Sequence, residues 1–181
     1  MFTIDEAISL VKKNLPSSSV ETIPLNDALG KYLAEDIISP EPSPRYTSSA
    51  MDGFAINYNE NISIDSPDSF KIVGESAAGQ SFKGSVGKNE AIRINTGAVV
   101  PDSVDTVVRV EDTVEKDGEI IIITPPHQGQ DIRHKGEEFG RGKKILTKQT
   151  RLSATHLALL RAVGIDEVNV YSPCSVSLLI T

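Results

Sequence analysis

Four stretches of this chain carry residues able to do chemistry. The first is SSAMDGFA, Ser48 to Ala55, where Asp52 stands between Met51 and Gly53. A carboxylate on a glycine-flanked turn serves as a metal ligand or a general base, and equally as an ordinary Asp-Gly turn residue. The second is IRINTGAVVP, Ile92 to Pro101, in which a strand runs into Asn95-Thr96-Gly97-Ala98. Small residues at a strand end let backbone amides approach an anion, and Thr96 adds a hydroxyl donor. Plain turn chemistry accounts for the same residues, and the glycine spacing and lysine of a P-loop are not there.

The third stretch is DTVVRVED, with Glu111 and Asp112 at the strand end. Paired acids offer oxygen ligands to Mg²⁺, or they simply face solvent. The fourth is GQDIRHKGEEFGRGKK, Gly129 to Lys144. Arg133, His134, Lys135, Arg141, Lys143 and Lys144 concentrate there beside Asp131, Glu137 and Glu138. Such a mixture suits a phosphorylated ligand with a divalent metal, or else a charged loop paired with itself. The histidines, His127, His134 and His156, lack metal-motif spacing. Cys174 follows Pro173 with no basic activator nearby, so it is not nominated as a nucleophile.

Composition narrows the field. The chain has 181 residues, 39% of them in the AVILMFWYC set, with 13 Gly and no Trp. That is a globular share with an aliphatic core. A net charge of −7 leaves no broad phosphate-neutralising face and argues against a nucleic-acid binder. One cysteine excludes an intrachain disulfide framework and points to a reducing compartment. The first residues lack the charge order of an export signal, and no apolar run approaches the roughly 20 residues that span a bilayer. The expectation is a cytoplasmic protein with no membrane partner.

The elements that must position these residues are short. Ile4, Ala7, Ile8, Val11 and Leu15 fall at helical spacing, Thr3 and Glu6 have the capping-box spacing, and Pro16 ends the run. A second short helix is predicted from Asp27 to Ala34, capped by Asn26. It would bury Leu25, Ala28, Leu29, Tyr32 and Leu33, with Gly30 counting against it. Pro40, Pro42 and Pro44 then make an extended linker. From Tyr46 to about Glu138 the texture is β. SFKIVG, EAIRIN, DTVVRV and EIIIIT read as strands, and Lys116-Asp117-Gly118 reads as a hairpin between the last two. KKIL and EVNVY are further strands around a helix capped by Ser153 and ended by Gly164. Val176, Leu178, Leu179 and Ile180 read as an apolar strand, either paired within the small domain or opening a further one.

Taken in order, SAMDGFA, the Ala78-Gly79 turn, RINTGAVVP, DTVVRVE and GQDIRHKGEE resemble the MoeA family of molybdopterin molybdenumtransferases, whose relatives include the C-terminal region of gephyrin. The resemblance covers essentially the whole chain and implies an N-terminal fragment of a longer protein. The implied fold is α+β, mostly β: an elongated discontinuous α/β domain with an inserted β-rich domain and a bifurcated sheet. Residues 1–22 would hold a helix that packs on a missing α/β domain. Residues 23–44 and 139–173 would form the elongated dimerisation domain, and 45–138 the inserted domain. Residues 174–181 would be the first strand of the molybdopterin-binding domain.

The implied reaction inserts molybdate into adenylylated molybdopterin with Mg²⁺ and releases AMP and molybdenum cofactor. Asp52, Thr96 and Glu138 fall at the family's catalytic positions, although some members have Asp where Glu138 stands. Arg133 and Lys135 match basic positions near the anionic substrate; Ser49, Met51, Gly97 and Ala98 are the further candidate substrate-binding residues. Asp52, which would repel anions without a metal, and Glu111 of the paired acids are the candidate Mg²⁺ ligands. Phosphoanhydride cleavage rests on positioning and charge neutralisation, so no Cys or Ser nucleophile is required. The resemblance also implies a homodimer with the site between subunits, and a molybdopterin adenylyltransferase as a partner. The chain alone would then own one wall of the site and lack insertion activity. The alternative it carries is a non-catalytic anchoring module of the gephyrin type.

Overall fold

A computed structural model describes residues 3–15, 18–58, 69–175 and 177. In chain order its elements are helix α1 (Ile4–Lys13), then strands β1 (Val20–Pro24), β2 (Ile37–Ile38), β3 (Ser48–Ser49) and β4 (Gly53–Ile56). Strands β5 (Ser69–Ser76), β6 (Glu90–Ile94), β7 (Thr106–Arg109), β8 (Thr113–Lys116), β9 (Glu119–Ile122) and β10 (Ile132–Arg133) follow. The chain continues with β11 (Lys144–Leu146), α2 (Ala154–Ala162) and β12 (Glu167–Tyr171). Strands outnumber helices, so the fold is α+β and mostly β. The chain divides into two compact units, one built from residues 1–40 and 142–181, the other from 41–141.

The discontinuous unit pairs β1 with β12 antiparallel, from Val20↔Tyr171 to Pro24↔Glu167, and β2 with β11. Its core takes Leu25, Ala28, Leu33 and Ile37 from the first segment and Leu152, Leu160, Val168 and Val170 from the second. The capping box at α1 is formed: the Glu6 amide donates to the Thr3 hydroxyl and the Thr3 amide to the Glu6 carboxylate. No residue of α1 is buried, and Ile4, Ile8 and Val11 lie on its exposed surface. Ser153 caps α2 as expected. Pro16, and the apolar strand expected around Val176 to Ile180, lie outside the described residues.

The helix predicted from Asp27 to Ala34 does not form. Leu25–Asp27 makes one 3₁₀ turn, and Gly30 adopts φ +77°. The amides beyond it bond across the unit, Gly30 to the Leu152 carbonyl, Leu33 to Thr150 and Ala34 to Asn169. Leu25, Ala28 and Leu33 are buried, whereas Leu29 and Tyr32 are exposed. The helical spacing of the apolar residues was a coincidence of an irregular segment bonded to its neighbours.

The second unit holds a six-stranded sheet in the order β7-β4-β6-β5-β9-β8. Strand β4 lies between two antiparallel partners, with Gly53 opposite Ile94 on one side and Arg109 on the other. Both faces of the sheet are covered. Phe54, Ile56, Phe70, Val108 and Ile120 pack on one, and Ala55, Ile92, Ile94, Val100 and Val107 on the other. That is why GFAI shows no alternation: all four of its residues are buried. The hairpin at Lys116-Asp117-Gly118 is present, with Asp117 and Gly118 at φ +53° and +81°. Its first strand, however, is β8. DTVVRV ends in a 3₁₀ turn at Val110–Asp112, and β7 sits at the opposite edge of the sheet.

Candidate functional site

Every residue singled out for chemistry except Lys143, Lys144, His156 and Cys174 belongs to the second unit. Two loops meet at the end of β4. The first, residues 49–52, leaves β3, which pairs with β10 through Ser49↔Ile132 and Ser48↔Arg133. The buried Ser49 hydroxyl donates to the Met51 carbonyl at 2.6 Å and accepts from the Met51 amide at 3.3 Å, curling the loop tightly. The second is the Asn95–Ala98 turn that follows β6. The Ala98 amide donates to the Asn95 carbonyl at 2.9 Å, and Gly97 takes φ +79°. The loops are stitched by the Gly97 amide on the Ser49 carbonyl (2.8 Å) and the Ser49 amide on the Ala98 carbonyl (3.0 Å). Ser49 and Ala98 are each 1% exposed, so their side chains shape this junction from inside.

The junction sets Asp52 on Thr96. One carboxylate oxygen of Asp52 accepts from the Thr96 amide at 2.7 Å and from the Thr96 hydroxyl at 3.1 Å. Hydrogen bonds to the charged form favour it, so the Thr96 amide, then its hydroxyl, hold the Asp52 carboxyl below its ordinary value. Asp52 and Thr96 are exposed, so the pair is open to a ligand.

A second carboxylate cluster follows β10. Arg133 is ion-paired to Glu137 at 3.1 Å and Glu138 at 2.7 Å. Glu138 also accepts from the Ser43 hydroxyl at 2.6 Å. Ser43, then Arg133, keep the Glu138 carboxyl below its usual range. Within the basic segment Arg133 is thus paired with the segment's own acids. The Lys135 amide donates to the Thr47 hydroxyl at 3.3 Å while its side chain stays exposed. Lys143 and Lys144 lie in the other unit, where Lys144 bonds Asp36 at 3.0 Å. Glu111 is exposed on the 3₁₀ turn whose first residue, Val110, donates its amide to the Asp52 carbonyl at 3.2 Å. Among the described residues, no group of three or more His, Cys, Asp or Glu side chains is placed to hold a metal.

Sequence reasoning overlooked Arg109. It closes β7 opposite Gly53 and grips Asp131 with two hydrogen bonds, 2.7 Å from Nε and 3.0 Å from Nη2. Arg109 holds the Asp131 carboxyl below its ordinary value, and Asp131 raises that of Arg109. The available signal was a strand-terminal arginine in an apolar run of an acidic chain, which calls for a facing carboxylate. Ser43 was also overlooked, and Asn95 was read only as part of its turn. The Asn95 side chain, after Thr96, further favours the charged form of Asp52.

These carboxylates set an acid limit. The pKa values of Asp52, Asp131 and Glu138 are lower folded than unfolded, so their contribution is complete above the ordinary values of 3.8 and 4.5. It is lost as pH falls through the depressed folded values. The melting temperature should decline as acid is added from about those ordinary values downward. A melting temperature constant through that range in differential scanning calorimetry would contradict the assignment.

The chain matches the family model for the MoeA N-terminal region, domains I and II, over residues 2–164. The molybdopterin molybdenumtransferase of Haemophilus influenzae is 34% identical over 183 residues, which span 100% of this chain and 45% of that protein. The one from a Nostoc species is 34% identical over 171 residues, 93% of this chain and 39% of that protein. A crystal structure of the molybdopterin biosynthesis MoeA protein from Pyrococcus horikoshii superimposes with a TM-score of 0.85 at 30% identity, covering 92% of this chain and 45% of that one. Another crystal structure of a molybdopterin biosynthesis MoeA protein from the same organism gives a TM-score of 0.83 at 34% identity, covering 94% of this chain and 44% of that one. The chain spans less than half the length of these relatives.

Proposed function

This chain belongs to the family of the MoeA N-terminal region, domains I and II, and on that footing we propose that it is the N-terminal part of a molybdopterin molybdenumtransferase. The reaction inserts molybdate into adenylylated molybdopterin and releases AMP and molybdenum cofactor. The observation that carries this reading is the Asp52–Thr96 pair, two residues 44 positions apart brought to 2.7 Å at an exposed loop junction.

Both substrates are anions, and their chemistry explains the donor set. The Thr96 amide and hydroxyl are spent on Asp52, and the Gly97 and Ala98 amides on Ser49 and Asn95, so the turn serves the site by fixing that carboxylate. Arg133 is held in place by Glu137 and Glu138, and the exposed Lys135 two residues on is a further cation for the substrate. Asp52 by itself would repel an anion. Mg²⁺ keeps several waters and takes only one or two protein carboxylates beside substrate phosphates, so Asp52, with Glu111 on the adjoining turn, is a sufficient donor set. The ion, when bound, neutralises charge on the phosphoanhydride. Asp52 would hold such an ion, and the Thr96 bonds keep that carboxylate ionised and oriented. Glu138 orients Arg133 toward the same anionic ligand.

The site is completed across a homodimer, in the cytoplasm, with a molybdopterin adenylyltransferase as the supplier of substrate. Among the described residues no helix is long and apolar enough to cross a membrane. Deleting the gene from its host should leave adenylylated molybdopterin to accumulate and molybdoenzymes without metal. Full molybdoenzyme activity in the deletion strain, with no such accumulation, would remove this reading.

A further inference from the structure

The loop that carries Asp52 is held by backbone on both flanks. The Ala50 amide donates to the Asp131 carbonyl at 2.8 Å, and the Asp52 carbonyl accepts from the Val110 amide at 3.2 Å. The two anchors are joined in turn. Asp131 is bound through both carboxylate oxygens to Arg109, the residue before Val110. Ala50, Asp131, Arg109, Val110 and Asp52 therefore close a ring.

Single backbone bonds at the flanks restrain distance but leave the loop free to hinge. A two-pronged guanidinium–carboxylate grip fixes angle as well as distance. The Asp131 side chain is only 11% exposed, so water competes for it less than at an open surface pair. Asp131 also stands at φ +54°, a left-handed backbone that Asp and Asn tolerate and that aims its carbonyl at Ala50. We infer that the Arg109–Asp131 ion pair is the positioning element that keeps the Asp52 carboxylate on the Thr96 amide and hydroxyl. The inference rests on the reading of Asp52 as the acting carboxylate.

The test uses Asp131→Asn, Arg109→Gln and the double variant. Asn keeps the left-handed backbone and the carbonyl, so the fold is preserved while the ionic grip is lost. Amide hydrogen exchange on the purified protein should show protection at Thr96 and Ala50 falling about tenfold in each single variant, and no further in the double, as for two members of one interaction. Protection at the β5–β9 ladder should not change. Unchanged protection at Thr96 would overturn the inference, as would a loss spread evenly over all amides or additive losses in the double variant. Molybdoenzyme activity of cells carrying Asp52→Asn is measured in parallel. Full activity there sinks the functional reading, whereas the exchange data judge the positioning role separately.

Discussion

Replacing Asp52 with Asn should lower molybdoenzyme activity in the host at least about 100-fold while leaving protein levels unchanged. Asn is nearly isosteric and keeps an oxygen that can accept from the Thr96 amide and hydroxyl, at 2.7 and 3.1 Å in the native pair. The turn should survive, and only the negative charge is removed. If Asp52 holds Mg²⁺ against two anionic substrates, that charge is the protein's main contribution to neutralising the transition state. A Lewis-acid contact contributes several kcal/mol, and each 1.4 kcal/mol is about tenfold in rate. The check is enzyme activity normalised to immunoblotted protein. Activity within about threefold of the native level would mean that the carboxylate serves only the turn.

Gly53→Ala should cost about 3 kcal/mol or more of stability, the largest effect expected from a single methyl group here. A Cβ at position 53 would lie 2.0 Å from the Val108 carbonyl oxygen and 2.9 Å from its carbon. The obstacle is main chain of a paired neighbour and cannot rotate away. Strand β4 is bonded on both sides, so relief requires parting it from β7. The same parting would move Asp52, one residue earlier, so activity should fall with stability. Denaturant titration measures this directly. A midpoint equal to that of the native protein would show that β7 is not packed against Gly53 as described.

These residues also show where sequence reading succeeds and where it stops. Thr3 with Glu6 announces α1 because a capping box is a local bond pattern, complete within four residues. SFKIVG, EAIRIN and EIIIIT announce strands through their β-branched content. Strand β4 stayed hidden. Four residues buried on both faces carry no period, and a glycine at the head of a strand reads as a turn until its neighbour's carbonyl is seen. The false helix at Asp27–Ala34 shows the converse. Its spacing was periodic, yet Gly30 and bonds to Leu152, Thr150 and Asn169 gave those amides partners more than a hundred residues away. At the site, SAMDG and TGA were legible as chemistry-bearing turns. That they meet is a property of β4 and β6 lying side by side, which no local pattern records. For Arg109 the sequence signals the need of a carboxylate, but that Asp131 supplies it is again a matter of tertiary placement.

The interruption of the first unit governs how the protein emerges from the ribosome. Residues 1–40 supply half of a core whose other half, Leu152 to Val170, leaves the exit tunnel only after the whole of 41–141 has done so. During that interval the early segment has nothing to fold upon. The inserted unit, by collapsing first, shortens the effective tether between the two halves. The Ser39 amide meets the Lys143 carbonyl at 2.8 Å, and the Gly142 amide meets the Ser39 carbonyl at the same distance. These bonds draw the emerging second half back to the waiting first, so the order of synthesis dictates that the inner piece matures before its host.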